Sequence, residues 1–292
     1  MQNINPLSLI TTLVILKSKG ERKSLGTGFL YSNEKQVLFL ATNFHVITGI
    51  SPNERGIKPV LGDEIEIQIR DNAGKSHSKT LQLFSGDKKL WLEHPTDKLA
   101  DVILIPLLPE LFKDATPRFI TKKTTIQDVL IVPSSPVVMI GYPHGYHDSV
   151  NNLPIWKTGS LASELEINFD GKKLLVVDIS AFPGMSGSPA FYVTHNGYLT
   201  KGGDMIMGVG MSVHFLGIYA SMQMLNDDLY LEQVESGTGY KVSHKESLQL
   251  GHVWKSSLIE EIADTFDEKN YPQQGMPIKT TPKFVPGISF KF

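Results

Sequence analysis

Ser186 stands between glycines in the run Ala181-Phe182-Pro183-Gly184-Met185-Ser186-Gly187-Ser188-Pro189, directly after the β-type residues 174–179 (LLVVDI). Two further reactive side chains lie upstream. His45 follows the apolar residues 38–41, and Asp101 opens the apolar residues 102–105. A serine hydroxyl is a weak nucleophile at neutral pH and needs a base within hydrogen-bond reach. Imidazole titrates near neutrality and suits that task. A carboxylate behind the ring fixes its tautomer and stabilises the imidazolium that forms. His45, Asp101 and Ser186, in that order, are therefore the parts required for attack on an acyl carbon. The glycines add the remaining requirement. Negative charge develops on the carbonyl oxygen during attack, and losing one backbone N–H aimed at it typically costs about 3 kcal/mol. Gly184 is free to turn its N–H inward because it has no Cβ. The N–H groups of Gly184 and Ser186 are the expected donors, with Pro183 stiffening the turn.

Each of these residues also has a plainer reading. Ser186 could be a turn serine, and His45 a buried structural histidine. Asp97 competes with Asp101 as the partner of His45, but Asp101 directly abuts the apolar strand. The constellation favours the chemical reading in all three cases. His144-Gly145-Tyr146-His147-Asp148 offers one spacing suited to joint metal ligation, and the Gly/Pro context reads as a solvated loop. No metal and no other cofactor is expected. His214 sits among apolar residues and reads as core or pocket lining. Gly26-Thr27-Gly28 lacks the fingerprint spacing and following helix of a nucleotide loop and reads as a hairpin element. Lys17, Lys19, Arg22 and Lys23 read as a solvated turn.

The elements that must position these groups are β-strands. Short β-type runs at residues 11–16, 26–31, 37–41, 64–69 and 102–107 are separated by Gly, Pro, Asn and Asp turns, and residues 64–69 (EIEIQI) alternate cleanly. Strands resume at 137–140, 157–161, 174–179, 189–193 and 215–220. Such spacing predicts an all-β protein of antiparallel barrels or sandwiches. The proline-flanked residues 109–117 and the connector-like 122–127 mark a junction. The reading divides the chain into residues 1–115 with His45 and Asp101, a connector at 116–130, residues 131–250 with Ser186, a helix at 251–267 and an irregular tail at 268–292. Val253, Leu258, Ile262 and Phe266 share a helical face in that helix. The site then falls in the cleft between two β-domains.

With 292 residues, 41% of them hydrophobic, the chain can bury a sizeable core. The 28 basic residues are balanced by 30 acidic ones, so nothing in the charge calls for nucleic acid or an anionic membrane as partner. There are no cysteines, which excludes disulfides, a Cys-ligated metal and a thiol nucleophile. The apolar residues 6–16 have no Lys or Arg before them, carry their positive charges after them and are too short to span a bilayer. They read as a first strand, and the expected location is cytoplasmic.

Taken together these motifs resemble the trypsin/chymotrypsin-like serine proteases, and are similar to bacterial disulfide-free members such as the protease domains of HtrA-type enzymes without a PDZ module. The resemblance spans about residues 8–222 and is carried by Thr42-Asn43-x-His45-Val46, by Asp97-x-x-x-Asp101 and by Pro183-Gly184-Met185-Ser186-Gly187-Ser188-Pro189. Gly141-Tyr142-Pro143-His144-Gly145 and Lys157-Thr158-Gly159 fit the strands leading to the nucleophile. It implies a chymotrypsin-like double β-barrel with a C-terminal helix packed on the second barrel. It further implies a serine endopeptidase that acts on a polypeptide substrate through an acyl-enzyme on Ser186, with His45 as general base and acid and Asp101 orienting it. Alignment to the serine places Ser180 at the base of the primary pocket and Tyr219, Ala220, Ser221 and Met222 along its wall. Met185 stands where the family has Asp or Asn, which argues against activation by a newly cut N-terminus. An inserted hairpin is expected around His195-Asn196-Gly197, and residues 226–250 have no identified counterpart. The alternative is a catalytically inactive, protease-shaped module that binds a peptide or partner. An esterase activity shares the same chemistry, and a separate sensor or regulatory protein stays open as a partner.

Overall fold

In the computed structural model, which describes residues 4–231 and 240–267, the first half forms nine strands. They are β1 (Thr11–Ser18), β2 (Glu21–Ser32), β3 (Leu38–Thr42), β4 (Glu64–Arg70), β5 (Ser76–Gln82), β6 (Phe84–Ser85), β7 (Lys88–Lys89), β8 (Leu92–Glu93) and β9 (Ile103–Pro106), with a short helix α1 (Phe44–Thr48) after β3. Seven of them make one antiparallel sheet in the order β5-β4-β1-β2-β3-β9-β8. The alternation of β4 is visible in its burial, with Ile65, Ile67 and Ile69 inward and the polar residues between them half-buried. β3 is buried on both faces, as its uninterrupted LFLAT sequence requires.

The second half supplies β10 (Pro136–Gly141), β11 (Ile155–Leu161), β12 (Leu174–Asp178), β13 (Pro189–Leu199), β14 (Met205–Leu231) and β15 (Tyr240–Lys255), closed by α2 (Ser256–Asp264). These six strands form a closed barrel in the order β10-β11-β12-β15-β14-β13. The expected all-β fold with a C-terminal helix is what the structure holds. The second sheet is the one whose ladder closes on itself among the described residues.

Two boundaries differ from expectation, and one unassigned stretch gains a structure. Residues 251–255 are strand, because Gly217, Ile218 and Tyr219 of β14 pair with Lys255, Trp254 and Val253, so the helix begins only at Ser256. The chain does not reverse at His195-Asn196-Gly197. Asn196, at φ 62°, is taken up as a β-bulge between β13 and β14, and the reversal falls at Thr200–Asp204, where Thr200 N–H donates to the Asp204 carbonyl. Beyond the barrel, β14 and β15 continue as a two-stranded ladder as far as Leu231 opposite Tyr240, which accounts for most of residues 226–250. The irregular tail expected at 268–292 lies outside the described residues.

Helix α2 does more than cap the second barrel. Leu258, Ile259, Ile262, Ala263 and Phe266 enter an apolar cluster shared by both halves, with Phe39 of β3, Leu104 of β9 and Val193 of β13. Phe266 meets Phe39 edge-on, with ring centroids 5.6 Å apart. A nine-residue helix is marginal alone, but each fully buried Leu or Ile contributes about 1.5–3 kcal/mol. Glu261 adds a polar tie, accepting from His94 Nε2 at 2.8 Å. The helix therefore locks the sheet that carries His45 to the barrel that carries Ser186.

Candidate active site

His45 sits in the first turn of α1, directly after the buried strand β3. Gly49 ends the helix in the left-handed region at φ 72° and donates its N–H to the His45 carbonyl. Asp101 lies two residues before β9, which pairs with β3, so the ladder itself brings the carboxylate to the imidazole. The contact is twofold. Asp101 Oδ1 accepts the His45 backbone N–H at 3.0 Å, and Oδ2 lies 2.6 Å from Nδ1. A carboxylate only accepts, so Nδ1 carries the proton and Nε2 presents its lone pair. Asn43 clamps the same segment, donating Nδ2–H to the Asp101 carbonyl. Burial works against the imidazolium, but the charge and hydrogen bond of Asp101 outweigh it, and the His45 pKa is raised above its ordinary value. Asp97 is engaged elsewhere. Its Oδ1 accepts the N–H groups of Leu99 and Ala100 and caps that turn.

Ser186 belongs to a loop that the second barrel builds and the first sheet holds. Met185 N–H donates to the Phe182 carbonyl and Ser188 N–H to the Met185 carbonyl, making two consecutive turns. Gly184 has φ 94°, and a Cβ there would fall 2.4 Å from the Tyr142 carbonyl oxygen and 2.8 Å from Leu25 Cδ1. Glycine is required on both counts. The N–H groups of Gly184 and Ser186 have no acceptor among the described residues. Met185 is fully buried in a cluster with Tyr192, Leu216 and Tyr219.

Thr27 of β2 is the hub between the halves. Its hydroxyl donates to the Gly184 carbonyl at 2.8 Å and accepts from Tyr142 N–H at 3.1 Å. Its N–H donates to the Ser186 carbonyl at 2.7 Å. Its carbonyl accepts from Thr42 Oγ1, three residues before His45, at 2.7 Å. A Cβ built on the neighbouring Gly26 would meet both Val46 and the Ser186 carbonyl within 3.0 Å. Ser186 and the helix of His45 thus share immediate neighbours. The serine hydroxyl donates to the Ala220 carbonyl at 3.0 Å, and His45 Nε2 has no hydrogen-bond partner among the described residues.

The five residues expected at the primary pocket differ in exposure. Tyr219 is buried in the barrel, against Gly251, where a Cβ would lie 2.6 Å from its Cε2. Burial raises its phenol pKa. A register shift between Tyr219 and Ser221 turns the strand, so Ser221 is exposed and shares a hydrogen bond with His252 Nδ1 at 3.3 Å. Ala220 is buried, while Ser180 and Met222 are half-buried. Sequence reasoning missed Thr27, the Ala220 carbonyl, Gly251 and His252. Thr27 lay inside a Gly-Thr-Gly run already noted, and the others act through backbone or strand pairing, which leaves no local signature.

The trypsin-like peptidase domain family model matches residues 26–197, more than half of the chain. No curated protein matches. Among solved structures the chain is similar to a serine endoprotease from Yersinia pestis, at 16% identity and TM-score 0.46, covering 88% of this chain and 64% of that one. It is also similar to a protease from M. tuberculosis in its active form (14% identity, TM-score 0.43, covering 88% and 81%). A third similar structure is the human heparin binding protein (11% identity, TM-score 0.47, covering 93% and 96%). The chain spans less than two thirds of the length of the Yersinia structure.

Proposed function

For a chain that belongs to the trypsin-like peptidase domain family, we propose the function of a serine endopeptidase with Ser186 as nucleophile, His45 as base and Asp101 as its orienting acid. The observation that carries the reading is the 2.6 Å contact of Asp101 with His45 Nδ1, which leaves the Nε2 lone pair free to take a proton. Rotation of Ser186 about χ1 would move its hydroxyl from the Ala220 carbonyl to Nε2. Attack on a peptide carbonyl then forms the C–O bond as the proton passes to His45. The oxyanion meets the N–H groups of Gly184 and Ser186. His45 returns the proton to the departing amine as the C–N bond breaks, leaving an ester on Ser186. Water, deprotonated by the same ring, releases the acid and restores the hydroxyl.

The test is covalent labelling by a fluorophosphonate. The wild type is expected to label and Ser186→Ala is not; a mutant that labels as well as wild type rejects the assignment.

A second reading, a binding module of the same shape, draws on the bond from Ser186 Oγ to the Ala220 carbonyl, which already occupies the hydroxyl proton. Casein turnover separates the two. Equal background rates for wild type and His45→Ala favour the binder.

A further inference from the structure

Ser186 lies between two strands. On one side is β14, whose Tyr219 carbonyl accepts Gly187 N–H and whose Ala220 carbonyl accepts the serine hydroxyl. On the other is β2, through the Thr27 N–H. If the acyl half of a substrate runs along β14, the departing half leaves along β2. A cleft of about 430 Å³ opens on that side, lined by Arg22, Lys23, Ser24, Leu25, His144, Pro183 and Gly184. It starts at Gly184, one of the two amides expected to hold the oxyanion.

The cleft is basic, although the chain as a whole carries a formal charge of −2. No carboxylate lines it. Lys23 has one counter-charge, Glu21 at 2.9 Å, and Arg22 has no acidic partner among the described residues. On the far rim, exposed His144 lies 6.0 Å from the Phe182 ring, which also carries the Lys157 ammonium at 4.9 Å. The walls are set by the nucleophile loop. His144 is held at φ 51° with its N–H on the Pro183 carbonyl, 2.6 Å away, and Leu25 packs against Gly184. Charges so placed act on whatever leaves the acyl centre.

Resting on the endopeptidase reading, we infer that this cleft selects an acidic side chain in the departing half of the substrate, within the first residues after the scissile bond. Arg22 and Lys23 are the specificity-determining residues. An exposed charge contact is worth a few-fold at most, so two acting together set a preference of about tenfold.

The test uses a casein-derived peptide cut by the wild type at a mapped bond, made in two forms with the two residues after that bond either Glu-Glu or Lys-Lys. In dilute buffer the acidic form is expected to be cut about tenfold faster in kcat/KM. The preference should shrink at about 1 M salt, where screening acts within ~3 Å, and invert in an Arg22→Glu/Lys23→Glu double variant. Hydrolysis of a chromogenic ester with no departing peptide should be unchanged in that variant, which shows it is folded and competent. Equal rates for the two forms overturn the inference and leave the endopeptidase reading intact. Should the wild type cut no peptide at all, the endopeptidase reading fails. Fluorescence anisotropy of labelled unstructured peptides with a central Glu-Glu or Lys-Lys pair on Ser186→Ala then decides the charge preference of the cleft by itself, with tighter binding of Glu-Glu supporting it and equal binding ending it.

Discussion

The two halves of the site are held by different physics. His45 and Asp101 flank neighbouring strands of one sheet, just after β3 and just before β9, and are joined by direct polar bonds, at 2.6 and 3.0 Å. Ser186 rides a loop whose side-chain anchor is apolar, the buried Met185, and whose polar support comes from Thr27 across the cleft. The imidazole is held by Asp101 with its proton on Nδ1. The Ser186 hydroxyl is instead held on the Ala220 carbonyl. Pre-organisation is thus unequal, and the loop is where a change in packing should reach the chemistry.

The largest expected effect breaks the polar half. Asp101→Asn offers an amide N–H to Nδ1, so the ring would bind it with an Nδ1 lone pair and carry its proton on Nε2, facing the serine in the wrong tautomer. The expected loss in kcat is about 10⁴-fold with little change in KM. Steady-state kinetics on a mapped peptide, with circular dichroism to confirm the fold, would measure it. A loss below about tenfold would mean that the short contact is structural and that the two halves do not work as one.

An intermediate effect tests the apolar half. Met185→Ala removes a fully buried side chain and should cost about 2–5 kcal/mol in denaturant-measured stability, whereas Met185→Leu conserves volume and should cost less than about 1.5. The comparison sharpens if kcat falls in Met185→Ala while the low-field NMR resonance of the His45 Nδ1 proton persists. Disappearance of that resonance as well would show the two supports to be coupled, against the division drawn above.

What could be read without coordinates follows the same line. The strands were legible because β3 and β4 carry their burial in their residue types, continuous for LFLAT and alternating for EIEIQIR. His45, Asp101 and Ser186 were legible because each is marked by its neighbours in the chain. The start of α2 was not, since Val253 fits a helical stripe and a strand equally well and only the pairing with Tyr219 decides. Nor was the hub role of Thr27, which depends on carbonyl and amide groups 115 and 157 residues away. The orientation of Tyr219 against Ser221 turns on a register shift that no local propensity records.

The smallest effect, and the one that links both halves, is in pH. Attack requires neutral His45, so activity rises with pH through the folded pKa of the ring. That pKa lies above the ordinary imidazole value because the opposing cost of burial is outweighed by the Asp101 charge and hydrogen bond. The acid limb of kcat/KM should therefore sit above about 6.5. Stability carries the opposite sign. A raised folded pKa means that the protonated ring favours the fold, a contribution fully present below the unfolded pKa and lost as pH rises through the folded one. Between the two values activity should climb while the His45 share of stability fades. Profiles of kcat/KM and of the thermal midpoint across that window, in wild type and in His45→Gln as the stability control, would resolve the two trends. A limb at or below the ordinary imidazole value would show that burial dominates, and that the polar half is less prepared for catalysis than its bond lengths imply.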